Sequence, residues 1–274
     1  MICFPNAKIN IGLRILEKQP DGYHQIETIF YPAGLSDILE FVEDSSLNSG
    51  ICQLKITGLP IRIHTENNLV KKAYDLMSRK RKLPGIQAHL HKMIPIGAGL
   101  GGGSSDAAFM LKSLNDVYEL ALGQEEMAEL AANIGSDCPF FLRNTPVFAF
   151  GRGERFREID LNLSGYYLVI VLPGIHVSTP EAYASVSPAK PEKSLYDLIR
   201  LPLNSWKETI INDFEANIFH EFPELRIIKE ELYHLGAEFA SMSGSGSAVY
   251  GLFLYPPQNM GIIEKYFYWQ GKLG

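Results

Sequence analysis

Residues 95–106 are Pro-Ile-Gly-Ala-Gly-Leu-Gly-Gly-Gly-Ser-Ser-Asp, and this stretch decides how the rest of the chain is interpreted. Five of the seven residues over 97–103 are glycines, which lose more conformational freedom on folding than other residues and are disfavoured inside helices and strands. Without Cβ atoms, their amide groups can crowd around the oxygen atoms of a ligand. The apolar pattern over 107–114 predicts a helix, with Ser104 or Ser105 as its cap. The stretch therefore predicts an anion site at a helix N-terminus, most naturally for phosphates.

The motif alone leaves its ligand open. A plain flexible loop before a helix is one interpretation. Gly97, Gly99 and Gly102 also match the G-x-G-x-x-G pattern of dinucleotide-binding proteins. Glu119 follows this pattern at the sequence spacing that such proteins use for an acidic residue that contacts the ribose. A Rossmann unit would need a strand just before Glu119, whereas residues 117–122 have the pattern of a helix or loop. The Gly-Lys-Ser/Thr of a Walker loop is absent from the motif.

Outside this stretch, short strands alternate with helices and predict an α+β protein. Residues 7–15 alternate apolar and polar side chains, which predicts a half-buried strand with Lys8 and Asn10 on one polar face. Further strands are predicted over residues 25–31, 38–42, 52–57, 86–91 and 167–172. Further helices are predicted after Asn67, after Thr179 as a cap, and over residues 125–133, 205–219, 223–235 and 259–269. A change in character near residues 152–160 predicts two domains, 1–156 and 157–274.

Two more segments carry chemistry or close packing. Asp137, in Ser-Asp-Cys-Pro, follows a predicted helix end, and its carboxylate could cap a helix or turn. It could equally act as a base or orienting group for a hydroxyl nucleophile. Residues 241–247, Ser-Met-Ser-Gly-Ser-Gly-Ser, join two apolar stretches. They predict a hairpin turn, or a place where another loop or a ligand approaches closely.

Composition excludes several classes of protein. The 274 residues carry a formal charge of −6, which provides no general attraction to nucleic acid. Cys3, Cys52 and Cys138 are too few and too widely spaced for a disulfide framework or a zinc site. The most apolar segment, residues 166–177, is too short to span a bilayer, and residues 1–6 lack the features of a secretion signal. We therefore expect a cytoplasmic protein with neither a nucleic-acid nor a membrane partner.

Five motifs occur in the order known from one family. They are Ala7-Lys-Ile-Asn10, Asp21-Gly-Tyr-His24, Pro95 to Ser105, Gly135-Ser-Asp-Cys-Pro-Phe-Phe141 and Met242-Ser-Gly-Ser-Gly246. Together they resemble the GHMP kinases, the superfamily of galactokinase, homoserine kinase and mevalonate kinase. The first two motifs are similar to those of the branch that phosphorylates the 2-hydroxyl of 4-diphosphocytidyl-2-C-methyl-D-erythritol in non-mevalonate isoprenoid precursor synthesis. The resemblance covers residues 5 to 255.

The resemblance implies a two-domain α+β GHMP kinase fold, with ATP and substrate in the cleft between the lobes and with Mg²⁺ bridging the ATP phosphates. Asp137 would accept the proton of the attacking hydroxyl, and Lys8 would orient that hydroxyl and offset developing charge. The implied ATP-binding residues are Lys92 as the nearest cation, Pro95, Ile96, Gly97, Ala98, Gly99, Leu100, Gly101, Gly102, Gly103, Ser104 and Ser105. The implied substrate-binding residues are Asn10 at the erythritol part, Tyr23 and His24 at the cytosine, Thr179, and Tyr183 as a second stacking aromatic.

Some residues depart from the family pattern. Gln19 stands where the family usually has Arg, Asn6 where it has Pro, and Cys138 where Val is commoner. None of these changes removes a group with a role above. Alternative functions are another GHMP kinase, acting on homoserine or mevalonate, a non-catalytic ligand sensor on the same fold, and a dinucleotide-dependent oxidoreductase. The Tyr-His pair argues against the first alternative, and retention of both proposed catalytic residues argues against the second.

Overall fold

The structure is a computed structural model that describes residues 1–59 and 67–274. The chain forms two compact units, each assembled from separate segments of the sequence. The first unit comprises Met1–Ala7, Leu35–Ile96 and Gly101–Thr145. The second unit comprises Lys8–Gly34, Gly97–Leu100 and Pro146–Gly274. These compact units follow contacts rather than chain order, and the domain division at 156/157 stays a prediction.

Helices and strands are mixed along the whole described chain, as the α+β prediction requires. The strands are β1 (Ile2–Cys3), β2 (Asn6–Lys18), β3 (His24–Ser36), β4 (Ile38–Glu43), β5 (Cys52–Gly58), β6 (Ile86–Lys92), β7 (Val147–Gly151), β8 (Arg155–Glu158), β9 (Tyr167–Leu172), β10 (Phe239–Met242), β11 (Val249–Phe253) and β12 (Phe267–Lys272). The helices are α1 (Leu69–Lys80), α2 (Gly102–Val117), α3 (Gln124–Ala132), α4 (Cys138–Arg143), α5 (Thr179–Ser185), α6 (Leu195–Leu198), α7 (Trp206–Thr209), α8 (Glu215–Glu221) and α9 (Pro223–His234). Short 3-10 helices cover Leu203–Ser205 and Gly261–Lys265. No helix among the described residues combines the length and the apolar character needed to cross a bilayer.

The first unit packs helices on a sheet of order β1-β4-β6-β5. Strand β5 runs parallel to β6, while β4 is antiparallel to both β1 and β6. The buried face of α1, which includes Val70 and Tyr74, joins one hydrophobic core with the sheet and with Leu111 of α2. The side chain of Asn68 accepts a hydrogen bond from the Val70 amide (2.9 Å) and caps α1, one residue later than the predicted Asn67. This core holds α2, and therefore the end of the glycine-rich loop, against the sheet.

The second unit contains two four-stranded sheets, of order β2-β3-β7-β8 and β10-β11-β9-β12. As its continuous apolar sequence predicts, β9 is largely buried, and it pairs on both sides, antiparallel with β11 and β12. The core of this unit combines Val169 and Val171 of β9 with residues of α8 and α9. Strands β2 and β3 are neighbours joined by the turn over 19–23, where the Gln19 amide bonds the Tyr23 carbonyl (2.7 Å).

Strand β2 is more deeply buried than its alternating sequence predicts. Every residue over 7–15 is buried, and the polar side chains are no exception. The prediction of a half-buried strand is therefore wrong. Arg14 shows the physical reason, because its guanidinium donates to the carbonyls of Lys193 (2.9 Å) and Thr209 (3.2 Å). A buried polar group with such partners avoids most of the cost of leaving water.

Two predicted helices differ in the structure. The helix predicted over 259–269 is wrong, because a 3-10 helix is followed there by β12, which completes the open edge of β9. The helix predicted over 205–219 is interrupted between α7 and α8. At this break Asn212 forms a bridge with Leu13 of β2 and donates to the carbonyls of Met242 (2.9 Å) and Gly244 (2.8 Å). In both places pairing with a distant strand overrides local helix propensity.

Candidate active site

The glycine-rich loop uses its glycines for backbone shape and for close approach. Gly97, Gly99 and Gly101 have φ angles of 72°, 79° and 69°, the left-handed region that side chains disfavour. A Cβ atom at Gly99 would lie only 1.9 Å from the carbonyl oxygen of Ser243. The Ser/Gly segment between β10 and β11 therefore receives another loop, which confirms the close approach predicted for it.

Helix α2 begins earlier than predicted. Its N-cap is Gly101 in the left-handed conformation, so Ser104 and Ser105 are helical residues, and the prediction that one of them caps the helix is wrong. The first backbone bond of the helix runs from the Ser105 amide to the Gly101 carbonyl (2.9 Å). The amides of Gly102, Gly103 and Ser104 come before that bond and have no partner inside the helix. With the positive end of the helix dipole, this is the anion-binding arrangement expected from the sequence.

The other loop residues differ in exposure. Ile96 is 47% exposed, whereas Ala98, Leu100 and Ser105 are buried. Within the described part of the chain the Ser105 hydroxyl has no hydrogen-bond partner. Pro95, Gly103 and Ser104 are partly exposed. Contact of each of these residues with ATP stays a prediction.

Lys92 is only 1% exposed, although the sequence suggested a cation near the phosphates. Its ammonium group donates to the carboxylates of Asp37 and Asp106, the latter at 2.7 Å. A direct contact between Lys92 and ATP stays a prediction, and the described contacts of its ammonium are internal to the first unit.

Asp137 occupies the N-cap position of α4, but its side chain makes no capping bond to that helix. Capping of α4 therefore does not explain this carboxylate. The next residue, Cys138, is buried and hydrogen-bonded to the Ser104 side chain in the first turn of α2. Burial raises the pKa of the Cys138 thiol to about 12, despite the opposing effect of the Ser104 bond. The thiol thus stays protonated and connects the turn that carries Asp137 to the start of α2.

Lys8 and Asn10 lie on β2 in the second unit, both almost fully buried. The Lys8 ammonium donates to the Asn10 side-chain oxygen and to the Gly99 carbonyl (3.0 Å). It also lies 4.8 Å from the centre of the Phe30 ring. The Asn10 side-chain nitrogen Nδ2 donates to Thr28 Oγ1 (2.9 Å). Asn10 is thereby held as a support for Lys8, and its expected contact with substrate stays a prediction.

Three of the predicted substrate-binding side chains are accompanied by aromatic or cationic neighbours. Tyr23 is 58% exposed, and the Arg152 guanidinium carbon lies 4.1 Å from the centre of its ring. Arg152 also forms an ion pair with Asp21. The His24 ring stacks on Tyr183 with centroids 5.1 Å apart and planes 25° apart. The structure therefore brings His24 and Tyr183 together, in the same unit as Tyr23.

Thr179 is exposed in the first turn of α5, and its hydroxyl lies 3.0 Å from that of Ser245. The N-cap of α5 is Ser178 and Thr179 is the first helical residue, so the prediction that Thr179 caps this helix is wrong. Like the other proposed substrate contacts, that of Thr179 stays a prediction.

Sequence reasoning missed several residues that shape these groups. Asp37 and Asp106 hold Lys92, Ser243 Oγ donates to the Gly99 carbonyl (2.8 Å), and Arg152 covers Tyr23. Asp106 adjoins the glycine motif, and this position was a usable signal. The others lie far from their partners in sequence, so no local pattern marks them.

Comparison with known proteins identifies the family. Models of the GHMP kinases N terminal domain and of the GHMP kinases C terminal match residues 68–145 and 193–264. The 4-diphosphocytidyl-2-C-methyl-D-erythritol kinase of Parabacteroides distasonis is 50% identical over 275 residues, covering 100% of both chains. The enzyme of the same name from Bacteroides thetaiotaomicron is 52% identical over 92% of both chains.

Solved structures agree with this result. A crystal structure of 4-(cytidine 5'-diphospho)-2C-methyl-D-erythritol kinase matches with a TM-score of 0.81 and 31% identity, covering 100% of this chain and 99% of the other. The mevalonate kinase of Methanococcus jannaschii matches with a TM-score of 0.70 at 15% identity, covering 100% and 98% of the two chains, which shows a shared fold. The expected two-domain GHMP kinase fold is confirmed, and the protein is a small-molecule kinase. The chain belongs to the GHMP kinase family, on the branch formed by the 4-diphosphocytidyl-2-C-methyl-D-erythritol kinases.

Proposed function

We propose that this kinase transfers the γ-phosphoryl group of ATP to the 2-hydroxyl of 4-diphosphocytidyl-2-C-methyl-D-erythritol, within non-mevalonate isoprenoid precursor synthesis. The observation that carries the proposal is the start of α2, where three backbone amides precede the first helical bond and follow glycines with left-handed φ angles. The choice of acceptor is supported by the names of relatives that are 50% and 52% identical.

The loop of residues 95–105 binds the ATP phosphates. Its left-handed glycines keep Cβ atoms out of the way, and the amides at the start of α2 donate to the phosphate oxygens. Such charge-assisted hydrogen bonds are about twice as strong as neutral ones. Because the positions of these amides are set by the core of the first unit, they need little reorganisation when the nucleotide binds.

Asp137 and Lys8 act on the acceptor hydroxyl. The hydroxyl oxygen attacks the γ-phosphorus, the bond from that phosphorus to the β,γ-bridging oxygen breaks, ADP leaves, and the hydroxyl proton passes to the Asp137 carboxylate. Lys8 orients the hydroxyl and offsets developing negative charge. The Asn10 side chain and the Gly99 carbonyl, which both accept from the Lys8 ammonium, hold it in place. Positioning and electrostatics supply most of the catalysis in such a transfer.

The cytidine part of the substrate binds at Tyr23, His24 and Tyr183. Tyr23 exposes its ring, which suits stacking on a base. The His24–Tyr183 stack has a centroid distance of 5.1 Å, which is too short to admit a base between the rings. Binding a base between them therefore requires the two rings to separate, or the base must use the outer faces. Asn10 and Thr179 complete the proposed substrate contacts.

Magnesium fits this proposal as an ion held mainly by the nucleotide. The described residues contain no group of three or more His, Cys, Asp or Glu side chains that could hold a metal ion. Mg²⁺ prefers a few protein oxygens together with substrate phosphates and water, which such a chain can accommodate. Bound in this way, the ion would neutralise charge on the phosphates during transfer. The cytoplasmic location and the lack of a nucleic-acid partner stay predictions from the sequence.

The decisive experiment combines one substitution with a substrate panel. We expect Asp137→Asn to bind ATP normally and to lower kcat by about 10²–10⁴-fold, the usual effect of removing a general base. Asp116→Asn, on the exposed side of α2, serves as the matched control and is expected to keep wild-type turnover. An Asp137→Asn enzyme with more than a tenth of the wild-type kcat would remove this residue from its role. Turnover of mevalonate or homoserine in place of the cytidyl compound would overturn the substrate assignment.

A further inference from the structure

The first unit buries an ionic cluster directly beside the glycine-rich loop. Lys92 at the end of β6, Asp37 just before β4 and Asp106 in α2 are between 0% and 2% exposed. The Lys92 ammonium donates to both carboxyl groups, which places the three polar groups in contact. Removing an ionised group from water costs several kcal/mol, so an ammonium and two carboxyl groups in one core do not cluster by default.

On the strand side, the cluster also holds the backbone that enters the loop. One oxygen of Asp37 accepts from the amides of Met93 (2.6 Å) and Ile94 (2.8 Å), while the other accepts from Lys92. The two amides lie immediately before Pro95. A single carboxylate therefore fixes both the Lys92 side chain and the direction in which the chain leaves β6.

On the helix side, the same ammonium holds the start of α2. Asp106 belongs to the helix and accepts from Lys92 at 2.7 Å. A Cβ atom at Gly102 would lie 2.8 Å from Ile94 Cγ2 and 3.4 Å from Lys92 Nζ. The first residue of the helix is thus in close contact with both the strand end and the cluster. The two chain segments that flank the loop are tied to one charged atom.

We propose that Lys92, Asp37 and Asp106 are positioning residues that brace both flanks of the phosphate loop. They thereby fix the position and orientation of the backbone amides at the start of α2. The inference rests on the proposed function, in that the loop must bind ATP. In this proposal the Lys92 ammonium does not need to contact ATP, because it affects ATP binding by holding the two backbone segments that flank the loop.

The raised pKa of Asp106 is consistent with such a brace. Burial, together with the neighbouring Asp37 carboxylate, raises the pKa of Asp106 to about 8 even though Lys92 opposes the shift. At neutral pH Asp106 is therefore largely protonated. Among the described residues Asp106 Oδ1 has no hydrogen-bond partner, which fits a carboxyl group retained for its contact with Lys92 through Oδ2.

The test measures nucleotide affinity directly. Isothermal titration with ATP and with ADP is performed on the wild-type protein and on Lys92→Met, Asp37→Asn and Asp106→Asn. KM for the cytidyl substrate is measured for the same four proteins. The brace predicts that all three variants weaken both nucleotides, Lys92→Met by about tenfold or more, while KM for the cytidyl substrate changes less than twofold. Lys80→Met, an exposed lysine on α1, is the matched control and keeps wild-type affinity.

Each alternative has its own outcome. If Lys92→Met alone weakens ATP, the ammonium contacts the nucleotide itself and the brace is overturned. If folded variants change both substrates alike, or neither, the cluster serves general stability and the brace is likewise overturned. Should Lys92→Met not fold, the near-isosteric Asp106→Asn decides between these outcomes. A wild-type protein that binds no ATP would instead refute the proposed function.

Discussion

Substituting Gly99 by alanine tests how the glycine-rich loop supports Lys8. The residue has φ of 79°, and its new Cβ would lie 1.9 Å from the Ser243 carbonyl oxygen, a backbone atom that has no flexible side chain to move aside. The two backbone segments must separate. As they do, the Gly99 carbonyl leaves the Lys8 ammonium (3.0 Å) and the Ser243 hydroxyl (2.8 Å).

The expected loss of stability is the sum of these effects. A non-glycine residue in the left-handed conformation costs about 1–2 kcal/mol. Losing the bond to the charged Lys8 group costs about 1.5–3 kcal/mol, and losing the bond to the neutral Ser243 hydroxyl about 0.5–1.5 kcal/mol. We therefore expect Gly99→Ala to lower the free energy of unfolding by about 3–6 kcal/mol. Turnover should fall as well, because Lys8 loses one of the acceptors that hold its ammonium group.

Urea denaturation monitored by circular dichroism measures this change. The matched control is Gly103→Ala in the same loop, because Gly103 is helical and the nearest neighbour of its new Cβ would be Leu69 Cδ1 at an ordinary 3.6 Å. Alanine is favoured over glycine in helices by up to about 1 kcal/mol, so the control should be unchanged or slightly stabilised. A Gly99→Ala protein within about 1 kcal/mol of wild type would show that the loop and the Ser/Gly segment separate easily, and would refute the reasoning.

Two further predictions concern Asp106 and Arg152. The pKa of Asp106 is raised to about 8 in the folded state, so between pH 4 and pH 8 the folded protein holds a proton that the unfolded chain has lost. Its contribution therefore makes the free energy of unfolding fall as pH rises, by at most about 1.4 kcal/mol per pH unit. Urea titrations at pH 5, 6, 7 and 8 should show a shallower fall for Asp106→Asn, and parallel curves would contradict the raised pKa. Arg152→Gln removes the cation over Tyr23 and the partner of Asp21, so KM for the cytidyl substrate should rise about two- to fivefold with KM for ATP unchanged. Arg155→Gln, an exposed control on β8, should match wild type, and an unaltered KM in Arg152→Gln would exclude a role for that guanidinium.

Arg152 supplies a positive charge beside Tyr23 although Gln19 replaces the arginine that is usual in the family. Gln19 stands where relatives usually have arginine, close in sequence to the Asp21–His24 motif. The structure supplies a guanidinium to Tyr23 from the turn after β7, more than a hundred residues along the chain. The positive charge of this loop therefore has a source that the local sequence does not reveal.

The sequence by itself determined what depends on neighbouring residues. The alternation in β2, the apolar run of β9 and the apolar face of α1 all predicted the correct type of element, because the period of the apolar side chains is a property of a short segment. The burial of both faces of β2 was not predicted, because it depends on distant partners. The glycines of residues 97–103 predicted an anion site at a helix N-terminus, although the helix begins before the predicted Ser104 or Ser105 cap. The order of the five motifs then identified the family, since each motif holds its functional residues within a short segment of the sequence.

Only the tertiary structure decided the features that join distant segments. The sequence predicts a helix over residues 259–269, yet the chain from Phe267 forms β12 because β9 has a free edge to pair with. Lys8 is buried because its partners come from another loop, and Lys92 is enclosed by carboxylates 55 and 14 residues away. Such contacts arise only after the chain has folded back on itself, so the pattern of any single segment contains no information about them.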